Sequence, residues 1–263
     1  MPEYDVLKYA VICSVAFAAS GLTFFSGFGL GTLLLPAFAL FFPIGEAVAL
    51  TAVVHFLNGL FKVALVGRKA DLRVSIHFGI PAILAAVAGA WVLSLLAFGE
   101  PLLTYSLSDR EFRVTAAKLV VGLLLIAFAA AELIPRLRDR SFGSRYLPLG
   151  GLLSGFFGGL TGMQGALRSA FIRRAGLSKE AFVATGAVLA CLIDLSRLGV
   201  YATSFRERSE NTDYGLLIAA ILSAFAGAAL GNRFLTKITL EGVQRIVAAM
   251  LVVAALGLIA GVL

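Results

Sequence analysis

The sequence predicts an all-α polytopic membrane protein made of two inverted repeats of about five segments each, with short re-entrant or half-helices among them. Three observations carry that prediction. Hydrophobic residues make up 60% of the 263-residue chain and charged residues only 14%, whereas soluble domains are about a quarter charged. Apolar runs of roughly 20 residues recur from end to end, each long enough for a hydrocarbon core of about 30 Å. The chain also resembles itself. At an offset of 134, Ser20, Gly21, Gly31, Leu33, Glu46, Ala47, Thr51 and Val54 are identical to Ser154, Gly155, Gly165, Leu167, Glu180, Ala181, Thr185 and Val188. At an offset of 138, Ile83 to Ala90 lines up with Ile221 to Ala228 in the same order. The whole of 1–263 therefore reads as one membrane domain, with repeat 1 at about 7–134 and repeat 2 at about 147–262.

Apolar runs and breakers place the segments of the first half near 7–26, 31–42, 46–66, 74–98 and 114–134, and those of the second near 147–162, 165–176, 180–204, 214–232 and 243–262. Gly27 to Gly31, Phe42-Pro43, the Arg68 to Asp71 turn and Gly99-Glu100-Pro101 mark the breaks in the first half. Segments 31–42 and 165–176 have 12 residues each, about 18 Å as helix and too short to cross a bilayer. They read as returning arms of hairpins, or as half-helices ending near mid-depth. Backbone without helical partners is tolerated at that depth only inside protein or beside a wet cavity. Paired broken helices in two halves point to a transporter whose site lies where the tips meet.

An odd number of segments per half inverts the second copy, and the basic residues test this. With the N-terminus outside, inner loops hold 13 of the Lys and Arg residues, from Arg68 and Lys69 to Arg245, and outer loops hold 5, namely Lys8, Arg110, Arg113, Arg206 and Arg208. That distribution follows the positive-inside rule and puts both termini outside. It accounts for the net charge of +7 without nucleic acid as a partner. All six tyrosines fall near predicted segment ends, as an interfacial aromatic belt requires.

Several classes are excluded or disfavoured. There is no Gly-x-x-x-x-Gly-Lys-Ser/Thr, so this chain has no ATP-binding loop to drive transport. Cys13 and Cys191 sit in separate apolar segments and read as small core residues. Glu3 and Asp5 at the start disfavour a secretory signal. His55 and His77 lie on different segments with no His-x-x-x-His or Cys-x-x-Cys, so neither a metal set nor a cofactor is expected.

The duplicated Ser-Gly start, Gly27-Phe28-Gly29-Leu30-Gly31 with Pro36 downstream, and Gly158-Gly159-Leu160-Thr161-Gly162 resemble the sulfite exporter TauE/SafE permeases. The stretches from Glu46-Ala47 to Thr51 and from Glu180-Ala181 to Thr185 fit as well, and the resemblance spans nearly the whole chain. Gln164 and Arg168 depart from the apolar residues expected there. The resemblance implies a multi-pass permease of the bacterial inner (cell) membrane, moving a small sulfur-containing anion such as sulfite or a sulfonate.

The expected substrate-binding residues are Gly27, Gly29, Gly31, Thr161, Gly162, Gln164, Gly165 and Arg168. Helix N-termini favour anions through free N–H groups and the helix dipole, and a guanidinium offers a bidentate donor to sulfonate-like oxygens. Arg168 also fits a snorkelling role near the surface. His55, Asn58, Asp194 and Arg197 are the expected coupling or gating residues. Asp194 and Arg197 lie three apart in an apolar span, where ions are costly and usually paired, so they also fit a pair that locks helices. Asp194 is the carboxylate for protons as coupling ion. His55 and Asn58 share a face with Lys62 and fit interhelical hydrogen bonding equally well. Glu46 and Glu180 begin helices and complement the dipole. Gly155 with Gly159, and Gly227 with Gly231, have a close-packing spacing. Besides a secondary transporter, an intramembrane enzyme and a non-transporting assembly partner are the competing classes. The sequence leaves the oligomeric state open.

Overall fold

The computed structural model describes residues 2–22, 30–107, 110–134, 136, 141–204, 213–234 and 240–263. Its helices are α1 (Pro2–Leu22), α2 (Leu30–Ala39), α3 (Ile44–Val66), α4 (Leu72–Ala97), α5 (Ala116–Leu133), α6 (Leu147–Thr161), α7 (Gly165–Ile172), α8 (Lys179–Ser204), α9 (Tyr214–Phe234) and α10 (Leu240–Ile259). Five helices among the described residues are long and apolar enough to cross a membrane. On α4, Ile76, Ile80, Leu84, Trp91 and Leu95 stay exposed along one face, the arrangement of a helix turned toward lipid.

Local chemistry sets the helix ends. Asp71 opens α4 by accepting the Val74 N–H at 2.8 Å, and Thr115 opens α5 by accepting that of Lys118 at 3.2 Å. Such caps satisfy one of the orphan donors of a helix start. Pro148 lies in the first turn of α6, where a missing N–H costs nothing. Gly162 closes α6 in the left-handed region, with φ of 83°, a conformation that a side chain would strain.

α2 has 10 residues and α7 has 8, about 15 and 12 Å of helix. Both double back on the helix before them. Tyr4 and Lys8 near the start of α1 lie against Phe41 and Phe42 just beyond α2. Gly150 near the start of α6 lies against Phe171 near the end of α7, and Phe142 stacks on Phe171. The α1–α2 hairpin enters from the end of the bundle that carries both termini. The α6–α7 hairpin enters from the opposite end, beside the Arg68-Lys69 turn, and the backbone bridge Gly143–Arg174 closes its base.

Glycine stripes hold the bundle together. At Gly151, Gly155 and Gly159 a Cβ would collide with the backbone carbonyls of Phe78, Ala82 and Ala86, so α6 and α4 run parallel in backbone contact. Gly227 and Gly231 bring α9 onto the carbonyls of Phe17 and Gly21 in α1, also parallel. Small residues four apart let helices approach this closely, and dispersion does the work that hydrophobic burial does in water.

Residues 101–115, read from sequence as loop up to 113, contain an antiparallel hairpin of β1 (Pro101–Leu107) and β2 (Arg110–Thr115). The Tyr105 hydroxyl donates to the Ala260 carbonyl at 2.5 Å, and Lys118 Nζ donates to that of Gly261 at 3.2 Å. The hairpin thereby caps the α5–α10 pair. Tyr201 is a second departure: it is 2% exposed, not part of an interfacial belt, because its ring is enclosed between α8 and α6.

Candidate functional site

The start of α2 meets the turn between α6 and α7. A Cβ on Gly31, the second residue of α2, would lie 3.3 Å from the Gly162 carbonyl oxygen and 3.4 Å from the His55 ring. A side chain there would need its neighbours to give by a few tenths of an ångström, because two backbones and an imidazole share the space. Gly27 and Gly29 lie outside the described residues.

α8 supplies the charged core of the site. It packs between α3 and α4, with Cys191 against Gly59 and Leu192 against Gly79, and this buries Asp194 and Arg197 completely. Asp194 Oδ1 accepts from Arg197 Nε at 3.0 Å and from Gln164 Nε2 at 3.1 Å, and Arg197 Nη2 lies 2.8 Å from the same oxygen. Asp194 Oδ2 is 2.5 Å from His55 Nδ1. A carboxylate so enclosed is held by one guanidinium, one amide and one imidazole, each from a different element or turn.

Gln164 links that core to the second arginine. Its side-chain carbonyl accepts from Arg168 Nη1 at 3.0 Å, and its backbone carbonyl accepts from the Ser154 hydroxyl at 2.9 Å. Arg168 is 3% exposed, so the snorkelling alternative does not hold. Lys62 on α3 lies close enough to interact with Arg168 electrostatically. Thr161 donates to the Phe157 carbonyl at 3.0 Å and accepts from the Met163 N–H at 3.3 Å, which fixes the turn between α6 and α7. Gly165 is the first residue of α7, whose start has no side-chain cap hydrogen bond.

The structure thus gathers Gly31, His55, Thr161, Gly162, Gln164, Arg168, Asp194 and Arg197 around one point. Asn58 serves a neighbouring joint instead: it accepts from the Ser20 hydroxyl at 3.1 Å and ties α3 to α1.

Two features of the site go beyond the sequence reading, one on the expected residue Arg197 and one on Tyr201, which that reading did not place in the site. Arg197 Nη1 has no hydrogen-bond acceptor among the described residues and points at the hairpin turn, 2.7 Å from where a Cβ on Gly162 would sit. Tyr201, one turn beyond Arg197, donates its hydroxyl to the Gly159 carbonyl of α6 and lies beside the guanidinium. The spacing Asp194, Arg197, Tyr201 places all three on one helix face, a signal available from sequence.

Two buried arginines, Arg168 and Arg197, lie near the carboxylate of Asp194. A cavity of about 1070 Å³ opens at the end carrying the termini, lined by Phe41, Phe42, Glu46, Lys118, Leu198 and Tyr201 among others.

Membrane-length helices, opposed hairpins and a buried cationic centre define a multi-pass membrane protein of the transporter class. Residues 12–258 match the family described as sulfite exporter TauE/SafE, and the chain belongs to that family. No curated protein and no solved structure matches it.

Proposed function

We propose that this protein is a secondary permease of the cell membrane that carries a small sulfur oxyanion, sulfite or an organosulfonate, by alternating access around the crossed hairpin tips. The observation that carries the reading is the pair of buried arginines, Arg168 and Arg197, near the carboxylate of Asp194 where the start of α2 meets the α6–α7 turn. The anion takes the open Nη1 of Arg197, the first-turn N–H groups of α7 and the guanidinium of Arg168, which releases Gln164. Asp194, held by His55, is the acceptor for a coupled proton. Net direction follows the gradients of anion and proton.

In this reading the chain is two inverted halves, about 7–134 and 147–262. Supporting it, the hairpins enter from opposite ends, and α4 and α9 each pack parallel to the first helix of the other half. The positive-inside rule places the end with the termini outside, since Arg68, Lys69, Arg173, Arg174 and Arg233 are exposed at the other.

Uptake of radiolabelled sulfite and of an alkanesulfonate into proteoliposomes tests the proposal. Wild-type protein gives saturable flux, and Arg168→Ala lowers it by about a hundredfold, equivalent to the about 3 kcal/mol of a buried charged contact. Wild-type flux in both Arg168→Ala and Arg197→Ala would exclude the site, and absence of flux in the wild type would exclude the function.

A further inference from the structure

We infer that Tyr201 is the gate between the cavity at the terminal end and the buried arginine centre. The inference rests on the transport reading above and extends it to the path by which an anion enters. Leu198 and Tyr201 line the cavity, and Arg197 and Asp194 do not. Tyr201 also lies beside the guanidinium of Arg197, which is one turn before it on α8. It is 2% exposed, so its ring forms the floor of the cavity and the roof of the site.

The phenol is held in that position at its far end. Its hydroxyl donates to the Gly159 carbonyl, in the last turn of α6 and within the glycine stripe that fastens α6 to α4. Helix α8 is thereby latched to the hairpin arm whose tip carries Gly162. Gly159 is among the last carbonyls of α6, which have no intrahelical donor, and the Met163 N–H bonds Thr161 Oγ1 instead, so the Tyr201 hydroxyl caps this carbonyl and release costs that one hydrogen bond. On release the hydroxyl can donate to an oxyanion at Arg197 Nη1, and the Gly159 carbonyl takes a water that enters with the anion. The ring then no longer separates the two compartments. Leu198, which also lines the cavity, has no polar handle and offers an anion no such exchange.

Thiol accessibility tests this independently of transport. In a Cys13→Ser, Cys191→Ala background, Ala202→Cys reports on the cavity and Thr161→Cys on the site beneath Tyr201. A membrane-impermeant methanethiosulfonate carrying a sulfonate is added to one face of sealed vesicles, the face from which Ala202→Cys reacts. With Tyr201 intact, Thr161→Cys reacts much more slowly than Ala202→Cys. Tyr201→Phe keeps the ring and loses the latch, so the Thr161→Cys rate rises by about three- to tenfold, the population shift expected for one hydrogen bond. Tyr201→Ala removes the barrier and brings the rate toward that of Ala202→Cys. Unchanged Thr161→Cys labelling in both variants, in protein with a wild-type gel-filtration profile, overturns the proposal. So does equal labelling of the two cysteines with Tyr201 intact. Tyr201→Phe preserves packing and keeps the test decisive if Tyr201→Ala fails to fold. The readout registers the gate even in a protein that carries no sulfur anion, so failure of the transport reading is seen separately, in the flux assay.

Discussion

Replacing Asp194 by Asn separates the two roles of the carboxylate, and its effect can be worked from the geometry. Asp194 Oδ1 lies 2.8 Å from Arg197 Nη2, and an oxyanion on Nη1 of the same guanidinium would lie about 6 Å from the carboxylate charge. At an effective dielectric of about 20, two like charges that far apart repel by about 3 kcal/mol. Removing one of them tightens anion binding by about a hundredfold. Without anion, the same variant leaves Arg197 buried beside a neutral amide and loses about 3 kcal/mol of stability. Asp194→Asn should therefore be less stable than wild type alone, bind the anion more tightly, and turn over slowly because the bound state has become a trap. Titration calorimetry in detergent with sulfite and with an alkanesulfonate measures the first two quantities when paired with thermal denaturation, and proteoliposome flux gives the third. An anion Kd unchanged or weakened in Asp194→Asn would refute the idea that Arg197 and the carboxylate compete for one guest.

Other consequences follow from the same contacts. Gly155→Val drives its side chain into the Ala82 carbonyl and should destabilise the protein by about 3 kcal/mol, the upper range for overpacking, read as a lowered detergent melting temperature. Gly162→Ala must hold a side chain at φ of 83°, at a cost of about 1–2 kcal/mol, and crowds Arg197 Nη1; anion affinity should fall by about tenfold in the same calorimetric assay. Asp213 accepts from the Leu216 N–H at 2.9 Å and from Tyr9 at 2.9 Å, and pairs with Lys8 at 3.1 Å. The Leu216 N–H foremost, with Tyr9 and Lys8, holds its carboxyl below the usual aspartate range. Its contribution is thus complete above that range and is lost as pH falls through the lowered value. Asp213→Ala should cost about 1 kcal/mol near neutrality as a lost helix cap, and the difference from wild type should shrink in acid, measured by thermal denaturation across pH.

Much of this architecture was legible in the chain because hydrocarbon leaves few choices. Runs such as 74–98 had to be helices, and Gly162 had to end one. The length of 165–176 is too short for a full crossing, and α7 is shorter still. The glycine spacings announced backbone contact but not partners, since nothing in Gly155 or Gly159 names Ala82 or Ala86. Asp194 and Arg197 could be paired by their spacing, whereas the bonds from Gln164 and His55 depend on tertiary crossing of three elements. Tyr201 was misread because a tyrosine near a helix end usually sits at the lipid interface, and only the approach of the Gly159 carbonyl reveals its different use. The β1–β2 hairpin carried no strong turn signal and was hidden among loop residues.

The glycine seams have a consequence for how this molecule can move. α4 is fastened to α6 and α1 to α9, so each welded pair joins a helix from before residue 134 to one from after 147. The two portions of the chain are interlocked like clasped hands and cannot rock apart as separate blocks. Whatever motion exposes the centre to one side and then the other must run along a different fault, between the welded pairs and the helices α3 and α8 that lie against them. Severing the chain at the 134–147 connection should then yield fragments that reassemble when coexpressed and do not persist alone.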